Sequence, residues 1–347
     1  MVTYTLKVVD IRTETEDTVT ICFKQPALKK VKYISGQYLT LIFRINGRRY
    51  IRPYSFSSAP EVDQHLEITV KRVPGGIVSN HICDKVAVGD AIEVMQPLGD
   101  FVFDASVYDF TPHLVLWGAG SGITPLISIA KSALKKNPDT NVTLVYGNRN
   151  FETIIFADLV NKLADEYKNR FKVWHFHTKL TVTENNPYLI QGRIDPKKVL
   201  SVMHHAGELN NTLHFICGPT GLKDSAKSAL AGLGIADEHI FSEDFELVKD
   251  PKDFEDIVTR VVEIDFKGET KTVEVVKGKS ILEAGLDALV ELPYSCQTGN
   301  CSVCKGKVIS GKLKTISAKQ SSEELEEDEY LLCCSYPLTD EVKLLVQ

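Results

Sequence analysis

The chain has 347 residues, 43% of them hydrophobic, which is enough material for two or three domains with their own cores. Its net charge of −6 argues against a nucleic-acid partner, no apolar run is long enough to span a membrane, and Met1 to Leu6 alternate like a strand, leaving no room for a signal peptide. Of the 8 cysteines most crowd the last quarter while Cys22, Cys83 and Cys217 stand singly, a usage that fits a reducing, cytoplasmic compartment better than a disulfide framework.

From Tyr4 to about Val102, short alternating stretches rich in Val, Ile, Thr and Tyr are punctuated by turn signals, Asn46-Gly47 among them. The series predicts an antiparallel β-barrel over residues 1–108. Within it, Arg52-Pro53-Tyr54-Ser55 offers a cation for a phosphate, a ring to stack on a planar cofactor and a hydroxyl for a reactive atom. Alternation along a strand would set Arg52 and Tyr54 on one face. Read blandly, the same run is a strand edge ended by a serine turn. Gly75-Gly76-Ile77-Val78-Ser79-Asn80 follows. Gly76 lets the backbone approach a ligand, and Ser79 opens a short predicted helix whose free N–H groups suit a diphosphate. A plain hairpin turn is the alternative.

Residues 109–246 alternate strand and helix. The apolar strand His113 to Trp117 runs into Gly118-Ala119-Gly120-Ser121-Gly122-Ile123-Thr124-Pro125 and a helix from Leu126 to Leu134, with Pro125 suited to its first turn. A second unit has the strand Val142 to Tyr146, a loop through Arg149, and a helix around Phe156 to Leu163. A third turns from Leu213-His214-Phe215-Ile216 through Cys217-Gly218-Pro219-Thr220-Gly221 into a helix. The pattern predicts a doubly wound parallel sheet with its ligand at the strand C-termini. The G-x-G-x-x-G fingerprint is absent because Ile123 stands where the third glycine belongs, which disfavours an ordinary dinucleotide dehydrogenase. Arg149, just after the second strand, could pair with a ligand's phosphate, such as a ribose 2′-phosphate, while Glu152 would repel one, so whether the ligand carries that phosphate stays open. Cys217 alone reads as a small buried residue ending a strand.

Composition turns charged around Leu247 to Asp256, giving a linker over 247–257 and a last domain over 258–347. Val261 to Phe266 and Lys271 to Val276 predict a hairpin, and Ser280-Ile281-Leu282-Glu283 is a capping box opening a helix to about Leu289. Then come Cys296, Cys301 and Cys304 in the order C-x4-C-x2-C, with Cys333 and Cys334 near the end. A [2Fe–2S] cluster needs four thiolates on two irons, three from a tight loop and one from a distant strand. Structural zinc asks for two C-x2-C knuckles or a Cys/His mixture, and no histidine follows His239. The acidic run Glu323 to Glu329 reads as a solvated helix face, or as a docking surface for a basic partner.

The cysteine segment resembles a plant-type ferredoxin, which implies an α+β (β-grasp) domain and a [2Fe–2S] cluster held by Cys296, Cys301, Cys304 and a fourth cysteine. Cys334 fits that family's spacing, while Cys333 fits its local context before Ser335-Tyr336-Pro337; Cys333 is favoured because a loop absorbs a one-residue deletion more easily than a ligand strand. RxYS and GxxSN resemble the flavin-binding half of the ferredoxin–NADP reductase family. Tyr38 also fits, although that family commonly has Pro where Ser35 stands. The resemblance implies FAD bound by Arg52, Tyr54, Ser55, Gly76 and Ser79, with FMN used by some relatives that carry an attached ferredoxin. GAGSGITP and CGPTG resemble the nicotinamide half, implying NAD(P)H on Gly118, Gly120, Gly122, Thr124, Pro125, Gly218 and Pro219. In that family the counterpart of Cys217 positions the nicotinamide, and Glu243 and Phe245 resemble the E-x-F end that approaches the flavin; with Ser55 these are the residues the resemblance assigns to transfer.

A nicotinamide gives up two electrons as hydride, a [2Fe–2S] cluster takes one, and a flavin can accept two and return them singly. Nothing in the sequence looks like an oxygen-activating iron, a haem or a substrate pocket, so the electrons would leave for a separate protein. The domain order resembles reductase components of multicomponent oxygenases, that of phenylacetyl-CoA epoxidase among them. Reductases of hybrid-cluster protein share a similar layout, and a redox-sensing docking protein is the reading from another class.

Overall fold

A computed structural model describes residues 2–27, 29–179, 188–206, 209–247, 249–316 and 325–346. They group into two compact units, Met1–Leu41 with Tyr54–Asp244, and Ile42–Pro53 with Phe245–Gln347.

The N-terminal elements are β1 (Thr3–Thr15), β2 (Thr18–Phe23), β3 (Tyr38–Ile45), β4 (Arg48–Ser55), β5 (Leu66–Lys71), the helix α1 (Ile77–Lys85) and β6 (Ala91–Met95). The strands form a six-stranded sheet in the order β4-β3-β6-β1-β2-β5, with β1 antiparallel to β2 and β6, and β2 antiparallel to β5. The predicted turn between β3 and β4 forms at Asn46 (φ 50°) and Gly47 (φ 77°), the left-handed pair that lets a two-residue loop follow the strand twist.

Next in the chain are β7 (His113–Ala119), α2 (Ile123–Lys136), β8 (Asn141–Asn148), α3 (Ala157–Glu166), β9 (Phe171–His177), β10 (Leu189–Gln191), α4 (Pro196–His204), β11 (Thr212–Cys217), α5 (Thr220–Gly232) and β12 (Ile240–Glu243). The strands run parallel in the order β10-β9-β8-β7-β11-β12. Order reverses between β7 and β11, which is where a doubly wound sheet opens its ligand crevice. Apolar side chains cover both faces, as parallel strands require. One core joins Leu114, Leu116, Leu144 and Phe215 to Ile127 and Ala130 of α2 and Val160 of α3; the other joins Val115, Trp117, Val145 and Ile216 to Val199 and Val202 of α4 and Ala226 and Leu230 of α5. Two polar links fasten α2 to the segment after β4: Ser128 Oγ donates to the Ser58 carbonyl at 2.6 Å, and the buried Lys131 pairs with Asp63 at 2.6 Å. Within the first unit, α2 is thereby tied both to the parallel sheet and to Ser58 and Asp63.

The last elements are β13 (Arg260–Phe266), β14 (Glu269–Val275), α6 (Ile281–Asp287), β15 (Lys305–Ser310), β16 (Leu313–Thr315), β17 (Glu329–Leu331), β18 (Ser335–Pro337) and β19 (Val342–Val346). A mixed five-stranded sheet, β14-β13-β19-β15-β17, lies beside the pair β16-β18. The capping box is present: Ser280 Oγ accepts from the Glu283 amide, and the Glu283 carboxylate accepts from the Ser280 amide at 2.7 Å.

Two local expectations read differently in the structure. The charged stretch read as a linker contains a short helical turn, Pro251–Phe254, and Phe254 is buried with Ile257, Ile316 and Tyr336. Its ring meets Tyr336 edge-on at 5.1 Å, so one aromatic in a polar run is anchored by residues far along the chain. Glu323 and Glu324 lie outside the described residues. The rest of the acidic run is a turn at Glu327-Asp328 leading into β17, not a helix, with Glu329 paired to Lys305 at 2.9 Å and Asp328 to Lys307 at 2.8 Å. Cross-strand lysines on β15 decide the conformation there.

Candidate redox sites

The two glycine loops leave the two strands that flank the switch point. Gly118, next to last in β7, is in register with Cys217 of β11, and Cys217 is in register with Glu243 of β12. Three sequence-predicted residues therefore stand in a row across neighbouring strand ends. Gly122 brings the first turn of α2 against β11: a Cβ there would lie 2.1 Å from the Cys217 carbonyl oxygen and 2.9 Å from the Gly218 amide nitrogen. Gly218 sits at φ 151°, outside the range most side chains accept, and Gly120 at φ 53°. Only glycines let the two loops meet this closely.

Thr124 and Pro125 are buried in the first turn of α2, where the Thr124 hydroxyl donates to the Ser121 carbonyl at 3.0 Å. Gly122 gives the helix no side-chain cap, and the Ile123 amide that opens it bonds back to the Gly120 and Ser121 carbonyls. Sequence reading missed Tyr146. This fully buried residue of β8 donates its hydroxyl to the Gly120 carbonyl at 3.0 Å and holds the loop from below. It also missed His177, the last residue of β9, which is 0% exposed with neither ring nitrogen hydrogen-bonded. Burial lowers its pKa, so it is neutral. A buried polar ring left open beside the strand ends suits a site that receives a polar ligand. Arg149, exposed after β8, accepts the Lys179 amide on its carbonyl at 2.7 Å. Pro219 precedes α5 and leaves it without a side-chain cap.

The flavin candidates fall on two segments. Arg52, Tyr54 and the buried Ser55 end β4, and Arg52 donates to the Ile51 carbonyl at 2.8 Å. Gly76 and Ser79 begin α1, where Gly76 gives no side-chain cap and leaves the first amides open. Ser79 Oγ accepts from the Val73 amide at 3.1 Å, and a Cβ on Gly76 would meet that oxygen at 2.6 Å. The hydroxyl thus shapes the loop, and the open amides are what remain for a diphosphate. Phe245 is 46% exposed just beyond β12.

The cysteines form two sulfur pairs. The Cys296 thiol is brought down to about 5 by the hydrogen bond from Cys301, with the amides of Thr298 and Asn300 also favouring its thiolate. Thr298 N–H donates to the Cys296 sulfur, and Cys296 N–H to the Cys301 sulfur, each at 3.4 Å. Cys304 is pushed up by its hydrogen bond with Cys333 and by burial. Two adjacent thiol pairs match two irons holding two protein sulfurs each, and the all-sulfur donor set with amides aimed at it is the chemistry a [2Fe–2S] cluster takes. Cys334 is fully buried and donates to the Leu331 carbonyl at 3.4 Å. Gly299 (φ 81°) and Gln297 (φ 60°) let the loop turn between the first two cysteines.

Residues 5–103 match the oxidoreductase FAD-binding domain, 116–228 the oxidoreductase NAD-binding domain, and 264–338 the 2Fe-2S iron-sulfur cluster binding domain. The chain is 33% identical over 359 residues to a 1,2-phenylacetyl-CoA epoxidase component of Escherichia coli (strain K12), covering 98% of this chain and 96% of that one. It is 33% identical over 349 residues to the ferredoxin reductase component of 3-ketosteroid-9-alpha-monooxygenase from Rhodococcus rhodochrous, covering 95% and 93%. Phthalate dioxygenase reductase, a solved structure 23% identical, shares the fold with a TM-score of 0.67 over 99% of this chain and 98% of that chain. Among the described residues no helix is long and apolar enough to cross a membrane. The chain belongs to the family of NAD(P)H-dependent flavoprotein reductases that join FAD-, NAD- and 2Fe–2S-binding domains, the family of these oxygenase reductase components.

Proposed function

We propose that this reductase delivers its electrons to a separate oxygenase component in the cytoplasm; relatives are named as the ferredoxin reductase component or reductase subunit of a monooxygenase, which supports the oxygenase as acceptor. The observation that carries the reading is one chain holding paired glycine loops at a sheet switch point and four cysteines in two sulfur pairs, three of them on one loop. When bound, the flavin supplies the exchange between two-electron and one-electron chemistry.

In this reading residues 1–108 bind FAD, 109–246 bind NAD(P)H, 247–257 connect, and 258–347 carry the cluster. Gly118, Gly120, Gly122, Thr124 and Pro125 would hold the nicotinamide nucleotide with Gly218 and Pro219, through the close backbone approach that the glycines permit. Cys217, in register with Gly118 and Glu243, would help position the nicotinamide, and Glu243 would offer a carboxylate at the neighbouring strand end. Phe245 would leave its exposed position to shield the transfer from water. Ser55, Tyr54 and Arg52 at the end of β4 would hold the flavin, offering a hydroxyl, an aromatic face and a cation for its phosphate, and Gly76 and Ser79 would shape a cradle for its diphosphate. Cys296, Cys301, Cys304 and Cys333 hold the irons, with Cys334 a neighbouring thiol.

Anaerobic absorbance titration of the purified protein with NADH and, in parallel, NADPH tests this. Bleaching of both flavin and cluster bands, followed by reoxidation on adding the cognate oxygenase component, is expected. Flavin bleaching with an unmoved cluster would overturn the relay and favour a redox-sensing role for the last domain.

A further inference from the structure

We propose that Tyr294 is a positioning residue that fixes the cysteine loop to the strand carrying Arg52, and so sets the rate of the one-electron step. The inference rests on the reading of Arg52 as a flavin ligand and Cys296 as an iron ligand.

The observations lie within the second unit. Tyr294 stands just before Ser295-Cys296 and is 2% exposed. Its hydroxyl accepts the Ile51 amide at 3.0 Å, and Ile51, 0% exposed, is the residue before Arg52 on β4. β4 is the edge of its sheet, so outward amides on it have no strand partner and need another acceptor when buried. Tyr294 is that acceptor for Ile51.

Three more links run between the β3–β4 hairpin and the segment leading to the cysteine loop. Arg44 pairs with Glu291 at 3.1 Å, and Arg48 donates to the Leu286 carbonyl at 3.1 Å and pairs with Asp287 at 3.4 Å. Both arginines are exposed, where water and salt weaken such contacts. The Tyr294 bond is the buried one, so it carries the registration while the arginines guide the approach. Electron tunnelling falls off exponentially with separation, whereas hydride transfer from the nicotinamide takes no part in this contact. Loosening the bond should therefore slow cluster reduction and spare flavin reduction.

Tyr294→Phe keeps the ring and removes only the acceptor. In the holoprotein, stopped-flow mixing with NADH should show flavin reduction at the wild-type rate and cluster reduction slowed by up to about tenfold. Hydrogen exchange of the peptide spanning Ile51 should quicken by up to about tenfold, and it is scored whether or not the cluster loads. Unchanged exchange together with unchanged cluster reduction would overturn the proposal. Arg52→Ala and Cys296→Ser separate the underlying reading: if neither lowers flavin or cluster content, the site assignment has failed, not the tether.

Discussion

Replacing Gly122 by alanine isolates one physical variable. Gly122 has φ −62°, which any residue adopts, so alanine brings no backbone strain there. Space is the whole cost: the new methyl would lie 2.1 Å from the Cys217 oxygen and 2.5 Å from its carbonyl carbon. Contact distance demands that α2 and the end of β11 separate by about 1 Å, and overpacking of this kind costs roughly 1–3 kcal/mol of stability. The larger effect is on chemistry, because a misplacement of about 1 Å at a reacting centre can cost ~100-fold in rate. Gly221→Ala is the matched control: nothing lies within 4 Å of the point its methyl would occupy, and it sits inside α5, so it should stabilise by about 0.5–1 kcal/mol. Stopped-flow flavin reduction across a range of NADH concentrations reads both variants. If Gly122→Ala reduces flavin at the wild-type rate with unchanged affinity, the close meeting of the two loops is not what positions the nicotinamide.

Cys333→Ser should abolish the cluster's visible absorbance and Cys334→Ser should retain it, since Cys304 is hydrogen-bonded to the free Cys333 thiol and the Cys334 thiol donates to the Leu331 carbonyl; iron and sulfide analysis checks both. Tyr146→Phe removes the donor to the Gly120 carbonyl, costing roughly 1 kcal/mol, and should raise the NADH requirement several-fold in ferricyanide assays with little change at saturation. His214 is buried and lowered to about 3, so the folded state binds fewer protons than the unfolded one below pH 6.5. Its contribution is present above pH 6.5 and is lost as pH falls toward 3; at pH 5 the loss is about 2 kcal/mol, read by urea unfolding through the fluorescence of Trp117 and Trp174, and His214→Gln should flatten that slope. Arg149→Ala should lower NADPH use and leave NADH use in place if that guanidinium reads the 2′-phosphate.

The cysteine loop was legible because its ligands are close in sequence, and a C-x4-C-x2-C spacing already states the geometry. The fourth ligand was ambiguous for the opposite reason. Adjacent cysteines differ only in which way a short turn points them, and that turn, Leu332–Cys334, is set by β17 and β18 on either side. The glycine loops were legible as a pair, yet the need for Gly122 in particular was not, since the atom it avoids belongs to Cys217 on another strand. Tyr146 and Trp117 look alike as apolar strand residues in the sequence; only the sheet register reveals that one of them supports the loop and the other bonds His214 at 3.1 Å. The buried Phe254 was hidden by its charged neighbours, because composition averages over a window and a core takes one side chain at a time.

This contrast predicts where substitutions will be tolerated in the two kinds of site. A thiolate site is specified by residue identity: sulfur must be present, and the surrounding loop need only turn, as Gln297 and Gly299 permit. The nicotinamide crevice depends chiefly on backbone placement, since its glycines bring two loops together more closely than a Cβ would allow. Away from Arg149, Cys217 and Glu243, changing a side chain there removes no group assigned to the nucleotide. It acts by moving β7, β11 or α2, which are locked together by register, by the Tyr146 hydroxyl and by the glycine contacts. Damage to the crevice should therefore appear as graded loss of nucleotide affinity and hydride-transfer rate from many positions, including ones that touch no ligand. Damage to the cysteine loop should be all-or-none at four positions and slight at their neighbours. A scan that found graded cluster loss across the loop, and all-or-none effects confined to a few crevice residues, would reverse the assignment of identity to one site and placement to the other.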